Sequence, residues 1–195
     1  MSAPLLEVVI GSTRPGRVGK PVADWFLGEA RRHGWFRLEL VDLAKINLPI
    51  FDEPRHPRLG QYQHEHTRAW SETVSRADAL VFVVPEYNYG FNAATKNAID
   101  YLHREWAYKP VGFVSYGGVA AGTRAVQMLK QVLTTLRMTP VFEAVNIPFV
   151  SQFVGPDGQF RANDVMNQAA EEMLEELARL EEALRPLRRA ADVAA

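Results

Sequence analysis

The chain has 195 residues, 22 lysines and arginines against 23 aspartates and glutamates, and a formal net charge of −1. That length suits one domain with a sizeable core, and the interspersed charge leaves no basic footprint for nucleic acid and no polybasic run for a membrane surface. Cysteine is absent, which excludes disulfides, thiolate metal sites and thiol redox chemistry, so a bound cofactor would have to carry any electrons.

The opening MSAPLLEVVI lacks a basic n-region and a long apolar core, and no stretch approaches the ~18 apolar residues of a transmembrane helix. A cytoplasmic protein without a membrane partner is expected. LLEVVI over 5–10 is short, β-branched and ends at Gly11, the pattern of a buried parallel strand. GSTRPGRVGK follows. It is not a Walker A loop, because Arg17 and Val18 stand where the lysine and the metal-binding hydroxyl belong. It is not a dinucleotide fingerprint either, because Arg14 replaces the first glycine that Gly16 and Gly19 would need. What remains is a donor-rich strand–loop–helix unit suited to an anion at a helix N-terminus.

A helix over 18–33 carries Val22, Trp25 and Phe26 at helical spacing, accommodates Pro21 in its first turn and stops at Gly34. RLELVDL alternates as a second strand. The proline-rich stretch 44–66 is long for a compact domain, and its 44–64 part is expected to act as a lid or a docking surface. His64, Glu65 and His66 read as a helix start, with Glu65 complementing the dipole, because no third metal ligand is evident. A helix over 65–77 leads to ALVFVVP (79–85), the most hydrophobic strand. Asn92 can cap a helix through ATKNAIDYLHRE, 94–105. PVGFVSYGG is a fourth strand, and a helix over 121–138 aligns Val126, Leu129, Leu133 and Leu136. TPVFEAVNIPFV is a fifth strand. A last helix over about 162–185 puts Met166, Met173, Leu177, Leu180 and Leu184 on one face and a solvated run of glutamates on the other. Residues 1–186 are expected to form one domain, with 187–195 a frayed, disordered tail.

Five strands separated by crossover helices predict a doubly wound α/β sandwich, with ligands bound beyond the strand C-termini. Three loops there carry unusual chemistry: GSTRPGRVGK, PEYNYGFNA and SYGGVAAG. They define one candidate site.

The run PEYNYGFNAATKNAIDYL, together with GSTRPGRVGK and SYGG, resembles the NAD(P)H-dependent FMN reductases, a flavodoxin-like family that includes quinone, azo and chromate reductases. The similarity runs from about Leu5 to about Val150. It implies a five-stranded parallel sheet in the order 2-1-3-4-5, helices on both faces, and FMN at the switch point between strands 1 and 3. At the matching positions, Ser12, Arg14 and the turn Arg17, Val18 and Gly19 would hold the FMN phosphate. Many family members open this helix with serine and asparagine, so Val18 and Gly19 shift the expectation towards backbone N–H contacts. Pro85, Glu86, Tyr87, Asn88 and Tyr89 would line the flavin, the backbone lying near N5 and the tyrosines acting as walls. Ser115, Tyr116, Gly117 and Gly118 would face the pyrimidine edge, and the helix from about Ala121 would aim its positive end at N1/C2.

The resemblance further implies NADPH or NADH as donor, a small aromatic acceptor such as a quinone or free flavin, and a ping-pong cycle. It implies no catalytic side-chain acid or base and no metal. It also implies a homodimer or tetramer, with contacts around Ile99, Leu102, His103 and Trp106. A flavodoxin-like electron carrier and a non-catalytic flavin sensor are the alternatives; the near-zero charge and paired arginines count against the carrier.

Overall fold

The computed structural model describes residues 3–193. Its strands are β1 (Leu5–Ile10), β2 (Arg37–Asp42), β3 (Ala79–Pro85), β4 (Pro110–Tyr116), β5 (Thr139–Pro140) and β6 (Val145–Ile147). All pair in parallel, in the order β2-β1-β3-β4-β5, with β6 also on β4. This is the flavodoxin-like sheet expected from the sequence. The fifth strand, however, is two pieces. β5 pairs with the start of β4 and β6 with its end. Pro140 has no N–H to offer a ladder, which fits an edge position, and Phe142 then turns out into solvent, 90% exposed.

The helices are α1 (Gly19–His33), α2 (Leu43–Ile46), α3 (Glu65–Arg76), α4 (Ala93–Asp100), α5 (Thr123–Thr135) and α6 (Asp164–Val193). Because side chains alternate along a strand, β1 serves two cores. Leu6, Val8 and Ile10 pack with α1 and α6, whereas Val9 packs with α3, α4 and α5 around Phe82, Trp70 and Trp106.

Three stretches differ from the sequence reading. α4 stops at Asp100, short of residue 105, because Tyr101 and Leu102 are drawn into the core and a 3-10 turn at Arg104–Trp106 buries the next indole, which donates to the Ile99 carbonyl at 3.1 Å. α6 continues through Pro186 to Val193, where a tail from 187 was expected. Arg188 explains the continuation: it pairs with the buried Glu181 at 2.7 Å and with Asp78 at 2.8 Å, and donates to the Tyr108 carbonyl. Residues 194 and 195 lie outside the described residues.

The 44–64 loop, finally, is fastened down. Asn97 donates to the Pro49 carbonyl at 2.7 Å and accepts from the Phe51 N–H at 2.9 Å. The Tyr101 hydroxyl and His66 both reach the Asp52 carboxylate, at 2.9 and 3.0 Å. Glu53 accepts from the Gln63 and His64 N–H groups, and these bonds hold its carboxyl below the usual range against the opposing effect of burial. The His64 and His66 rings stack 5.1 Å apart beside Asp52. No helix among the described residues is long and apolar enough to cross a membrane.

Candidate active site

The three chemistry-bearing loops meet at the C-terminal edge of the sheet, since β1, β3 and β4 are consecutive neighbours running in one direction. Two bonds set the first loop at its root. The Gly11 N–H donates to the Val83 carbonyl at 3.0 Å, and Asn92 donates to the Gly11 carbonyl at 2.6 Å. Asn92 stands at the N-cap position of α4 as expected, but its side chain bridges Gly11 and the Thr95 hydroxyl instead of capping the helix.

Within the loop, the buried Ser12 hydroxyl lies 3.1 Å from the Tyr87 hydroxyl. The two arginines differ. Arg17 donates to the Asp42 carboxylate at 2.6 Å, whereas Arg14 is exposed and, among the described residues, makes only a 3.5 Å contact to the Gly16 carbonyl. Val18 provides no side-chain cap, and the first turn of α1 holds no acidic residue. The first N–H groups of the helix and its positive end are therefore uncompensated by side chains.

Gly19 is where α1 meets β4: a Cβ there would lie 2.8 Å from the Tyr116 hydroxyl. That hydroxyl is buried and, among the described residues, has no hydrogen-bond partner; the same holds for Nε of Arg17. Burial raises the phenol's pKa, with Tyr87 acting in the same sense and Ser12, Arg14 and Arg17 opposing, so Tyr116 stays a neutral donor. A free guanidinium, an uncapped helix start, a buried serine and two unpartnered buried donors fit a phosphate monoester.

In the second loop, Tyr87 and Gly90 exchange backbone hydrogen bonds of 2.8 and 2.9 Å after Pro85 ends the strand. Asn88 (φ 49°) and Tyr89 (φ 72°) are both left-handed. Asparagine tolerates this conformation; a tyrosine adopts it only when held. Glu86 does not face the open side of the turn. Its carboxylate, almost fully buried, pairs with Arg124 in the first turn of α5, accepting from Nε at 2.6 Å and from the backbone N–H at 3.2 Å. The Arg124 guanidinium lies 3.7 Å from the centre of the Tyr89 ring.

The third loop shows the main departure for an expected site residue. The Ser115 hydroxyl donates to the Ala121 carbonyl at 2.8 Å and sits 3.0 Å from Asn146 Oδ1. It shapes the turn from within. The turn closes through Ala121 (φ 54°) and Gly122 (φ 85°), where a Cβ would meet Ser115 Cβ and the Tyr116 nitrogen at 2.7 Å. Gly117 and Gly118 lie between, with the Gly117 N–H bound to the Ile147 carbonyl and the Gly118 carbonyl accepting from Ala121 and Phe149. Of the expected residues, Ser12, Arg14, Val18, Gly19, Tyr87, Asn88, Tyr89 and Tyr116 therefore lie together at this edge of the sheet, at or beyond the ends of β1, β3 and β4. Arg17, Glu86 and Ser115 support it through Asp42, Arg124 and Ala121. Asp42 and Arg124 escaped the sequence reading; Asp42 ends β2 and Arg124 lies in the first turn of α5, both on this edge.

A family model described as NADPH-dependent FMN reductase matches residues 5–152. An NAD(P)H-dependent FMN reductase of Schizosaccharomyces pombe is 41% identical over 149 residues, 74% of this chain and 74% of that protein. A quinone reductase of Pseudomonas putida is 31% identical over 139 residues, 68% of this chain and 71% of its own length. Among solved structures, a flavoenzyme NAD(P)H:(acceptor) oxidoreductase from Paracoccus denitrificans superposes with a TM-score of 0.73 at 20% identity, covering 92% of this chain and 98% of that one. That last likeness is one of fold.

Proposed function

The chain belongs to the NADPH-dependent FMN reductase family, and from that premise we propose that its loop cleft holds FMN and passes reducing equivalents from NADPH or NADH to a small aromatic acceptor, a quinone or a free flavin, in a ping-pong cycle. One observation carries the reading: a phosphate-type loop with a free Arg14 and an uncapped α1 shares a sheet edge with the aromatic Tyr87–Tyr89 turn. Arg14, Ser12 and the first N–H groups of α1 would hold the phosphate. Tyr87 and Tyr89 would bound the open face. The start of α5, beyond Gly122, directs its positive end to the same edge and favours developing negative charge there. When bound, FMN supplies the two-electron chemistry, accepting hydride from the donor and delivering it to the acceptor. The protein's part is to place the donor, exclude water and set electrostatics.

An absorbance spectrum of the purified protein, followed by anaerobic NADPH or NADH, tests this directly. Flavin absorbance that bleaches is expected. A flavin-loaded protein inert to both donors would point instead to a carrier or sensor, and a protein that cannot be loaded with FMN would end the reading.

The same reading includes a homodimer, or a tetramer built from two. Of the residues expected at the contact, Trp106 lies in the core, whereas Ile99, Leu102 and His103 line the floor of a groove on one face. The face available is a groove of about 750 Å³ between α4, α5 and the fastened loop, lined by Phe51, Phe91, Met128 and Leu136. A monomer mass by light scattering at micromolar concentration, with turnover intact, would remove the interface.

A further inference from the structure

Glu86, Tyr89 and Arg124 form a unit that the phosphate loop and the flavin walls do not explain. Tyr89 is 67% exposed and left-handed, a combination in which an unsupported ring would sample many positions. What it rests against is the Arg124 guanidinium, 3.7 Å from the ring centre. Arg124 is anchored in turn by the buried Glu86 carboxylate one residue before the turn. Planar guanidinium against an aromatic face, with a fork held by carboxylate, is a geometry that lysine cannot reproduce.

We propose that Arg124 is a positioning residue: clamped by Glu86, it props the Tyr89 ring at the rim of the flavin face and so sets which aromatic acceptors stack there. This rests on the flavin-binding reading above. The helix-capping part of the pair is separable. The Arg124 backbone N–H reaches Glu86 whatever the side chain, so a side-chain substitution removes the prop and leaves the cap.

The test is a double-mutant cycle on the KM for 2-methyl-1,4-naphthoquinone, in FMN-loaded enzyme with saturating NADPH. Tyr89→Ala and Arg124→Met are each expected to raise KM about fivefold, the scale of one cation–π contact. The double variant should match either single one, because the two residues act through one contact. Arg124→Lys should fall between wild type and Arg124→Met. Multiplied effects in the double variant would overturn the proposal. Hydrogen exchange across residues 86–91, measured on FMN-free protein, supplies a flavin-independent reading. Arg124→Met should exchange faster there than wild type, and equal rates would also overturn the prop. Failure of the wild type to bind FMN is a different outcome, which removes the flavin reading and the acceptor role with it while the exchange rates still report the contact.

Discussion

Arg14 and Arg17 are three positions apart and equally basic, yet their surroundings separate them. Arg17 is neutralised by Asp42, which also accepts from the Ala44 N–H and so caps α2. Arg14 keeps its charge available. Arg14→Ala is therefore expected to weaken FMN binding by roughly 1.5–3 kcal/mol, the scale of a charged hydrogen bond, with Arg32→Ala on the outer part of α1 as a control of negligible effect; titration by flavin fluorescence reads both. Equal losses would show that the loop is not the phosphate site. A second residue-scale prediction concerns Glu7, fully buried on β1 with neither carboxylate oxygen hydrogen-bonded among the described residues. Burial pushes its pKa from 4.5 up to about 7, reinforced by Glu39 and opposed by Lys109 and Arg76. The folded protein thus holds this proton more tightly than the unfolded chain. The associated stability is full below the unfolded value of 4.5 and is lost as pH rises through about 7, a drop on the order of 3 kcal/mol by pH 8. Glu7→Gln should flatten this part of the thermal-midpoint profile between pH 5 and 8; an unchanged slope would place the titration elsewhere.

At the scale of elements, α6 depends on charges its own sequence neighbourhood does not explain. Glu181 is fully buried, and its carboxyl is held below the ordinary value by Arg185 and Arg188 against the opposing effect of burial. Arg188→Met removes one partner of Glu181, leaves the Tyr108 carbonyl without this donor, and leaves Asp78 with the Leu5 N–H alone of its two donors. Breaking such a buried pair costs roughly 3 kcal/mol, measurable as a lower urea midpoint, and α6 should fray from Pro186 onwards. A loss below about 0.5 kcal/mol, the size of a surface pair, would mean that the helix end needs no anchor. This element also shows where legibility stopped. Pro186 reads locally as a terminator, and the partner that overrides it, Asp78, is 110 residues away. β1, β3, β4 and α1 were readable because burial and period alone specify them. The break between β5 and β6 was not, since VFEAVNIPFV is mostly apolar, interrupted by Glu143 and Asn146, while only part of it pairs with β4. The bond from Ser115 to the Ala121 carbonyl is likewise not legible in the sequence. The Ser115 hydroxyl follows the left-handed turn at Ala121 and Gly122, a backbone feature that side-chain chemistry does not announce.

For the whole molecule, the arrangement of loops bears on kinetics. β1 lies between β2 and β3, so the phosphate loop, the tyrosine turn and the Gly117–Gly118 turn occupy adjacent positions along one edge. The fastened 44–64 loop adds a fixed wall rather than a flap, because Asn97, Tyr101 and His66 tie it to α4 and α3. A cofactor held by the first and third loops would leave the face beside Tyr87 and Tyr89 as the way in. Hydride transfer requires the reacting atoms within about 3–3.5 Å, so donor and acceptor would use that opening in turn. The expected result is a set of parallel double-reciprocal lines when NADPH is varied at several fixed quinone concentrations, with quinone at high concentration competing against NADPH. Because the wall is fixed, the pattern should persist from low to high ionic strength, whereas a salt-sensitive flap would change the NADPH KM and the quinone KM together. Intersecting lines would require donor and acceptor to be bound at once. The groove between α4 and α5 would then become the place to look for a second site.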